Sequence, residues 1–247
     1  MKTLGKITIA FVGLVVLWGV MVAVFQPPNF VVPSPARVGL AFVERWQMLL
    51  TNAAVTATEI VLGLLVGLAA GVTSALAIAA TPALRRLVLP VIVVTQTLPV
   101  FAIAPLLVIW LGYGMASKIV MAALIIYFPI ATAYAEAMSR VPQELIDLAR
   151  LNSASKWQLL WLVRAPAGLP GLIAGVKVAA TVAHIGAVVG EWVGASAGLG
   201  YVMLHANARL QTDVLFAALM LLAALALIVR FAVDRLVDRL LPWQTLS

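Results

Sequence analysis

The stretch Glu144–Pro170, ELIDLARLNSASKWQLLWLVRAPAGLP, holds acids, bases, two serines, an asparagine and two tryptophans inside a chain that is otherwise almost continuously apolar. On both sides of it run windows of eighteen or more mostly apolar residues, the length that crosses a hydrocarbon layer about 30 Å thick. Only 10% of the 247 residues are charged and 64% are hydrophobic, with a mean hydropathy of +1.12. A soluble domain carries about 25% charged residues. The chain is therefore read as an all-α, polytopic membrane protein, and the polar stretch as a loop between two of its spans.

Six spans are expected, at about 7–25, 53–80, 87–111, 117–135, 168–190 and 214–233. The third and fourth are joined only by GYGMAS, and Pro99, Pro105 and Pro129 interrupt them. Prolines in membrane helices mark bends, and a five-span reading fuses parts of this region. Lys2 and Lys6 precede the first apolar run, which ends in VAVFQPP without a small-x-small cleavage site. Residues 1–32 are thus read as a retained anchor helix ahead of a core over 33–240, all one transmembrane domain spanning 1–247.

Orientation follows from the lysines and arginines. One side carries Lys2, Lys6, Arg85, Arg86, Arg140, Arg150, Lys156, Arg164, Arg230, Arg235 and Arg239; the other carries Arg37, Arg45, Lys118 and Arg209, and Lys177 lies within the fifth span. Eleven against four places both termini and the polar loop in the cytoplasm. The same asymmetry accounts for the net charge of +7, so no nucleic-acid partner is expected. On the outer side, PSPARVGLAFVERWQMLL repeats Val38, Phe42, Trp46 and Leu49 at helical spacing, as a helix lying in the interface does. EWVGASAGLGYVMLHANARLQTD, between spans five and six, reads as a re-entrant or surface-packed element. Glycines recur every four residues at Gly63, Gly67 and Gly71 and again at Gly186, Gly190, Gly194 and Gly198, which lets helix backbones approach closely within one chain or between two.

The polar loop has its own grammar. Pro142 suits the first turn of a helix, Glu144 complements the helix dipole, and Asp147 reaches Arg150 at i,i+3. NSAS then breaks the helix and offers Ser153 or Ser155 as a new N-cap. A second helix carries Trp157, Leu160 and Trp161, and Pro166 is expected to end it. Two helices of about 11–12 residues, roughly 16–18 Å each, are large enough to fill a groove on a partner. The same pattern also describes a solvated hairpin at the lipid surface.

Asp147, Leu148 and Ala149, then Ser153, then Val163, Ala165 and Pro166 stand in the spacing of the loop E-A-A, three residues, G, nine residues, I-x-L-P. In this the segment resembles the cytoplasmic coupling loop of ABC importer permeases. Only Ala149 and Pro166 are identical to that pattern. GASAGLGYVM and QTLPVFAIAPLLVIWLGYG are similar to the nitrate, sulfonate, taurine and thiamine-precursor branch of these permeases, and the likeness covers about Pro33 to Arg239. The resemblance implies a six-helix fold of the type I importer permease kind, a multi-pass protein of the bacterial inner membrane. It also implies that the 140–167 loop, with Glu144, Asp147, Leu148, Ala149, Ser153, Val163 and Pro166, docks on a separate ATPase subunit. A periplasmic substrate-binding protein and a second permease copy, as a homodimer, are the other implied partners besides the lipid bilayer. No G-x-x-x-x-G-K-[ST] motif occurs, so a P-loop must lie on another polypeptide.

Polar residues inside apolar helices are the functional candidates. Gln96 lies before Pro99, and Lys177, Thr181, His184 and Glu191 share one face of span five. Gln96, Tyr127, His184 and Glu191 are taken as lining a translocation path, with interhelical hydrogen bonding the competing role for Gln96 and His184. Glu59 is expected near water at the outer end of span two, and Lys177 at the cytoplasmic interface by its long stem. His184 and His205 have no ligand partner at metal spacing, cysteine is absent, and no nucleophile–base pair stands out. No catalytic residue, metal or cofactor is expected. An ion-coupled secondary transporter, the competing class, wants intramembrane carboxylates or two related halves. Among the substrates the resemblance implies, a hydroxymethylpyrimidine-type thiamine precursor comes first, with riboflavin, aliphatic sulfonates, taurine and nitrate beside it.

Overall fold

A computed structural model describes residues 2–240, with side chains from 12 to 239; they form helices joined by short turns, and no strand. Lys2 and Lys6 lie outside the side chains described. In chain order the helices are α1 (Lys2–Phe25), α2 (Pro35–Glu44), α3 (Trp46–Ala80), α4 (Pro82–Thr97), α5 (Val100–Leu111), α6 (Met115–Ser139), α7 (Gln143–Leu151), α8 (Lys156–Gln158), a π-helical turn (Leu159–Arg164), α9 (Ala165–Gly194), α10 (Leu199–Ala208) and α11 (Thr212–Leu240). Among the described residues, four stretches are long and apolar enough to cross a membrane: α3, α6, α11 and the 39-residue run Lys156–Gly194.

The expected third span is not one helix. Its halves α4 and α5 meet at a bend of 102°. The cause is local: Pro99 pushes Leu98 out of the helical region, to φ −76° and ψ 123°, and α4 stops there. If the bent pair is one crossing the spans number five. The first expected span lies on α1, whose described apolar part, Val12–Phe25, is shorter than the stretches above.

The centre of the bundle is α6, held between α3 and α9. It fits because both neighbours present glycines. On α3, Gly63 faces Ala122, Gly67 faces Ile126 and Gly71 faces Ile130; on α9, Gly168 faces Met138, Gly175 faces Ile130 and Gly186 faces Ala122. The recurring small residues therefore serve packing within the chain. Ile60, Ala122, Ile126, Ile130, Ala179, Ala183 and Ala187 close the core around this seam. Gly194 and Gly198 depart from the pattern, Gly194 meeting Val108 of α5 and Gly198 starting α10 at φ +114°.

Helix α2 is capped by Ser34, whose hydroxyl accepts from the Arg37 amide, and it buries Val38 and Ala41. It ends at Arg45, so Trp46 and Leu49 belong to α3 and not to the surface helix the spacing suggested. Phe42 and Trp46 are exposed and Leu49 is buried.

The glycine seam generates a direct test. A Cβ on Gly67 would lie 2.7 Å from Ile126 Cγ2, whereas one on Gly114 would meet nothing within 4 Å. Gly67→Ala is expected to cost about 1–3 kcal/mol by overpacking, lowering the thermal midpoint of the detergent-purified protein. Gly114→Ala, at the N-cap of α6, is expected to lower it less, since only the cap preference is lost and no overpacking is added.

Candidate functional site

The polar loop is built as two helical pieces around a tight corner. Pro142 precedes α7, and Glu144 sits in its first turn. Asp147 bonds Arg150 at 3.3 Å and accepts from Gln143 at 3.0 Å. At the far end of α7 the Ser153 amide donates to the Arg150 carbonyl at 2.9 Å and the Ala154 amide to the Ala149 carbonyl at 3.0 Å. This is the paired bonding that closes a helix through a left-handed residue, and Ser153 is that residue, at φ +59°. Glycine takes this conformation at no steric cost, which is why a pattern with glycine at this position tolerates serine only with some strain. The new N-cap is Ser155: its hydroxyl accepts from the Gln158 amide while Gln158 returns a bond to the Ser155 amide, a reciprocal capping box.

Pro166 does not end the second helix. The chain passes from α8 through the π turn into α9, with the Ala165 amide reaching back five residues to Leu160. The wider turn gives the Pro166 ring room that an α-turn would deny it. Tyr134 of α6 donates to the Ala165 carbonyl at 3.2 Å, and Arg164 donates to the Ala79 carbonyl at 3.2 Å, tying the loop to α6 and to the end of α3.

Of the predicted loop residues, Ala149, Ser153 and Val163 line one cleft of about 310 Å³ with Asn152, Ala154 and Leu162. Glu144, Asp147 and Leu148 are exposed beside it, and Pro166 is exposed on the following helix. In α7 the buried residue is Ile146, at 6%, and beyond the corner Leu160 is buried at 3%. Its outer surface is apolar: Leu151 is 84% exposed, Leu162 72% and Trp157 63%, with Leu145, Leu148 and Trp161 beside them.

The path candidates fall in two places. Gln96 is exposed on α4, and its neighbour Thr95 is hydrogen-bonded to the buried Tyr127 of α6. His184 is half-buried on α9 with Nδ1 buried and unpartnered. The polar face expected to run from Lys177 to Glu191 is taken up at both ends. Lys177 lies 3.5 Å from Asp234 and 3.9 Å from Asp238 of α11, and Arg230 bonds Asp234 at 2.9 Å and Thr181 at 3.0 Å. Lys177 is thus paired, where its stem alone was expected to carry it to water.

At the other end Glu191 is 1% exposed, and its carboxylate grips the start of α10. Glu191 accepts from the Gly200 amide and, at 2.6 Å, from the Thr56 hydroxyl. Thr56 accepts from the Leu199 amide at 2.8 Å, and Asn52 accepts from the Gly198 amide at 2.7 Å. Three successive amides that a helix start leaves without partners are thereby satisfied from α3 and α9. Asn52 and Thr56 lie four residues apart on one face of α3, and that spacing ahead of a G-L-G was the available signal. Beside this clasp Glu59 is fully buried 3.8 Å from the Lys118 ammonium. It does not reach water, because α6 carries Lys118 across it.

These features define a polytopic helical membrane protein that exposes an apolar, capped loop at one end of a long helix and locks a short helix at the other. The family model for the "Binding-protein-dependent transport system inner membrane component" matches residues 60–243, and the chain belongs to that family of ABC importer permeases. It is 46% identical over 226 residues to a "Probable ABC transporter permease protein" of Haemophilus influenzae, covering 92% of each chain. It is 30% identical to the "Formylaminopyrimidine transport permease protein ThiX" of Halalkalibacterium halodurans, covering 96% of this chain and 95% of that one. It is 36% identical to the "Riboflavin transport system permease protein RibX" of Chloroflexus aurantiacus, covering 92% and 85%. The fold is similar to a chain of the MetNI methionine ABC transporter in an inward-facing conformation, with a TM-score of 0.69 and 21% identity over 79% of this chain and 97% of that one. The chain is therefore a permease subunit and not an enzyme, and the family implies ATPase and binding-protein partners.

Glu191→Ala is expected to strand the buried Gly200 amide, at about 1–3 kcal/mol, while the Thr56 hydroxyl keeps the Asn52 carbonyl at 3.2 Å as its acceptor. Hydrogen exchange at residues 198–200 then rises and the thermal midpoint falls. Glu191→Gln, which keeps one acceptor, is expected to fall between.

Proposed function

We propose that this permease imports an uncharged heteroaromatic compound of the hydroxymethylpyrimidine class, delivered by a periplasmic binding protein and driven by an ATPase docked on the 140–167 loop. The observation that carries the coupling is the loop's unpartnered apolar surface at the end of an unbroken helix. Leu148, Leu151, Trp157 and Leu162 leave more than half of their surface exposed, and burying such apolar surface on a partner is favourable by about 25 cal/mol per Å². The charge asymmetry puts this end, with both termini, in the cytoplasm.

Helix α9 then carries the loop's movement across the membrane. With α8 and the π turn before it, the run Lys156–Gly194 extends roughly 58 Å, and the Glu191 clasp makes α10 move with it. Gln96 and His184 belong to the path. An amide exposed on an apolar helix and a buried imidazole nitrogen without a partner each face several kcal/mol of cost against lipid, so they turn to water, substrate or a neighbouring subunit. A second copy of the chain, seated on the exposed face of α4 and α5, completes the pore as a homodimer. The ThiX relative supports a pyrimidine substrate. The RibX relative favours riboflavin as the second reading, and both are flat nitrogen heterocycles that an amide and an imidazole suit.

Asp147→Lys and Ser153→Trp are each expected to lower ATPase copurification and uptake by tenfold or more, the range of contacts at the centre of an interface, while membrane insertion persists. Unchanged recovery and uptake in both would contradict docking at this loop. Cysteines at positions 96 and 184 are expected to react with small water-soluble thiol reagents at rates that nucleotide and substrate-loaded binding protein alter. Competition of uptake by hydroxymethylpyrimidine, riboflavin and taurine identifies the substrate class.

A further inference from the structure

Two carboxyl groups lie side by side inside the bundle. Glu59 of α3 is 0% exposed and Glu191 of α9 is 1% exposed, and the two side chains are in hydrogen-bonding contact. They differ in what else they meet. Glu191 accepts from the Thr56 hydroxyl and from the Gly200 and Tyr201 amides. Both oxygens of Glu59 are buried, and neither receives a hydrogen bond from a donor of the described residues.

An ionised carboxylate is an acceptor only, so two carboxyl groups bond to each other only when one of them keeps a proton. The charges around the pair agree. Besides each other, the titratable group acting on them is Lys118 of α6. Lys118 is 6% exposed, donates to the Tyr113 carbonyl at 3.3 Å and stands 3.8 Å from Glu59, too far for a hydrogen bond. From α10 the pair meets backbone amides, while the Tyr201 and His205 rings of that helix pack on each other. Two carboxylates and one ammonium would leave a net negative charge out of water, and one proton cancels it. The α10 backbone also lies directly on the pair, since a Cβ on Gly198 or Gly200 would collide with the Glu191 carboxyl.

We propose that Glu59 and Glu191 form a proton-binding site, with the proton carried on Glu59 and donated to Glu191, and that this proton keeps the clasp on α10 closed. Glu59 is the carrier because it accepts no bond, whereas the donors around Glu191 favour the charge there. When the Glu59 O–H bond breaks, the proton passes to water and a second carboxylate is left against the first. Their repulsion falls on Glu191, and through it on residues 198–200. The site makes the body of α3, α9 and α10 responsive to pH. It involves neither substrate nor ATPase, so it stands or falls apart from the function proposed above.

The test uses the full-length chain in detergent. At about pH 7 exposed carboxyl groups are ionised, so an infrared carbonyl band of a protonated carboxylic acid reports a buried one. The wild type is expected to show that band, and isotope-labelled glutamate is expected to shift it. Glu59→Gln removes it, and Glu136→Gln, at an acid 62% exposed, leaves it in place. Exchange protection of the 198–200 amides, corrected for the intrinsic rate, is expected to fall about tenfold or more between about pH 7 and about pH 10 in the wild type. In Glu59→Gln, whose amide donates to Glu191 at every pH, it stays constant. Absence of the band from the wild type overturns the proposal without any variant, and so does a band that persists in Glu59→Gln. Wild-type protection that ignores pH, or an equal fall in Glu59→Gln, overturns the role in the clasp. If Glu59→Gln does not fold, the labelled wild-type band replaces it: the band must vanish over the same pH range in which protection falls, and a mismatch overturns the proposal.

Discussion

A carboxylate at the end of a long helix organises the molecule. Glu191 accepts from Thr56 of α3 and from the Gly200 amide of α10, and these bonds turn three separate elements into one body. The interaction is strong where it stands because the group is buried and the Gly200 amide would otherwise be orphaned. From that fixed point α9 runs back through the bundle to the π turn and the capped loop, with no break in its backbone. The loop and α10 thus sit at the two ends of one helical run, Lys156–Gly194.

The path of that helix depends on small residues. Glycines on α3 and α9 let α6 sit between them, and the glycines decide distance while the isoleucines and alanines of α6 decide register. Lipid gives no hydrophobic drive for helices to associate, so close packing and buried polar bonds must hold them. The chain uses both. The Glu59–Lys118 pair and the clasp sit at one end of the seam, and the Lys177–Asp234–Arg230 cluster bridges α9 and α11 nearer the other.

The helical class and the main spans were legible because periodicity and composition act over many residues and average out local exceptions. What was not legible depends on single contacts. Pro166 reads as a stop until the π turn upstream makes space for it. Glu59 reads as an outer-edge acid until α6 brings Lys118 beside it. Glu191 reads as part of an aqueous stripe, because nothing in the local sequence says that Asn52 and Thr56 lie across from residues 198–200. Ile146, the buried residue of α7, is hidden in the same way, since a helix of nine residues offers too few turns for a face to declare itself.

The 140–167 loop and α10 are expected to move as one body. The absence of cysteine allows spin labels at only Lys156→Cys and Asn207→Cys in an otherwise native chain, diluted with unlabelled chain so that intrachain pairs report. The distance between them, measured by electron double resonance in the complex without nucleotide and with trapped ATP, is predicted to stay the same to within about 2 Å, under half of one helical turn. A shift of a full turn, about 5.4 Å or more, would show that α9 bends or that the clasp opens, and would contradict the account.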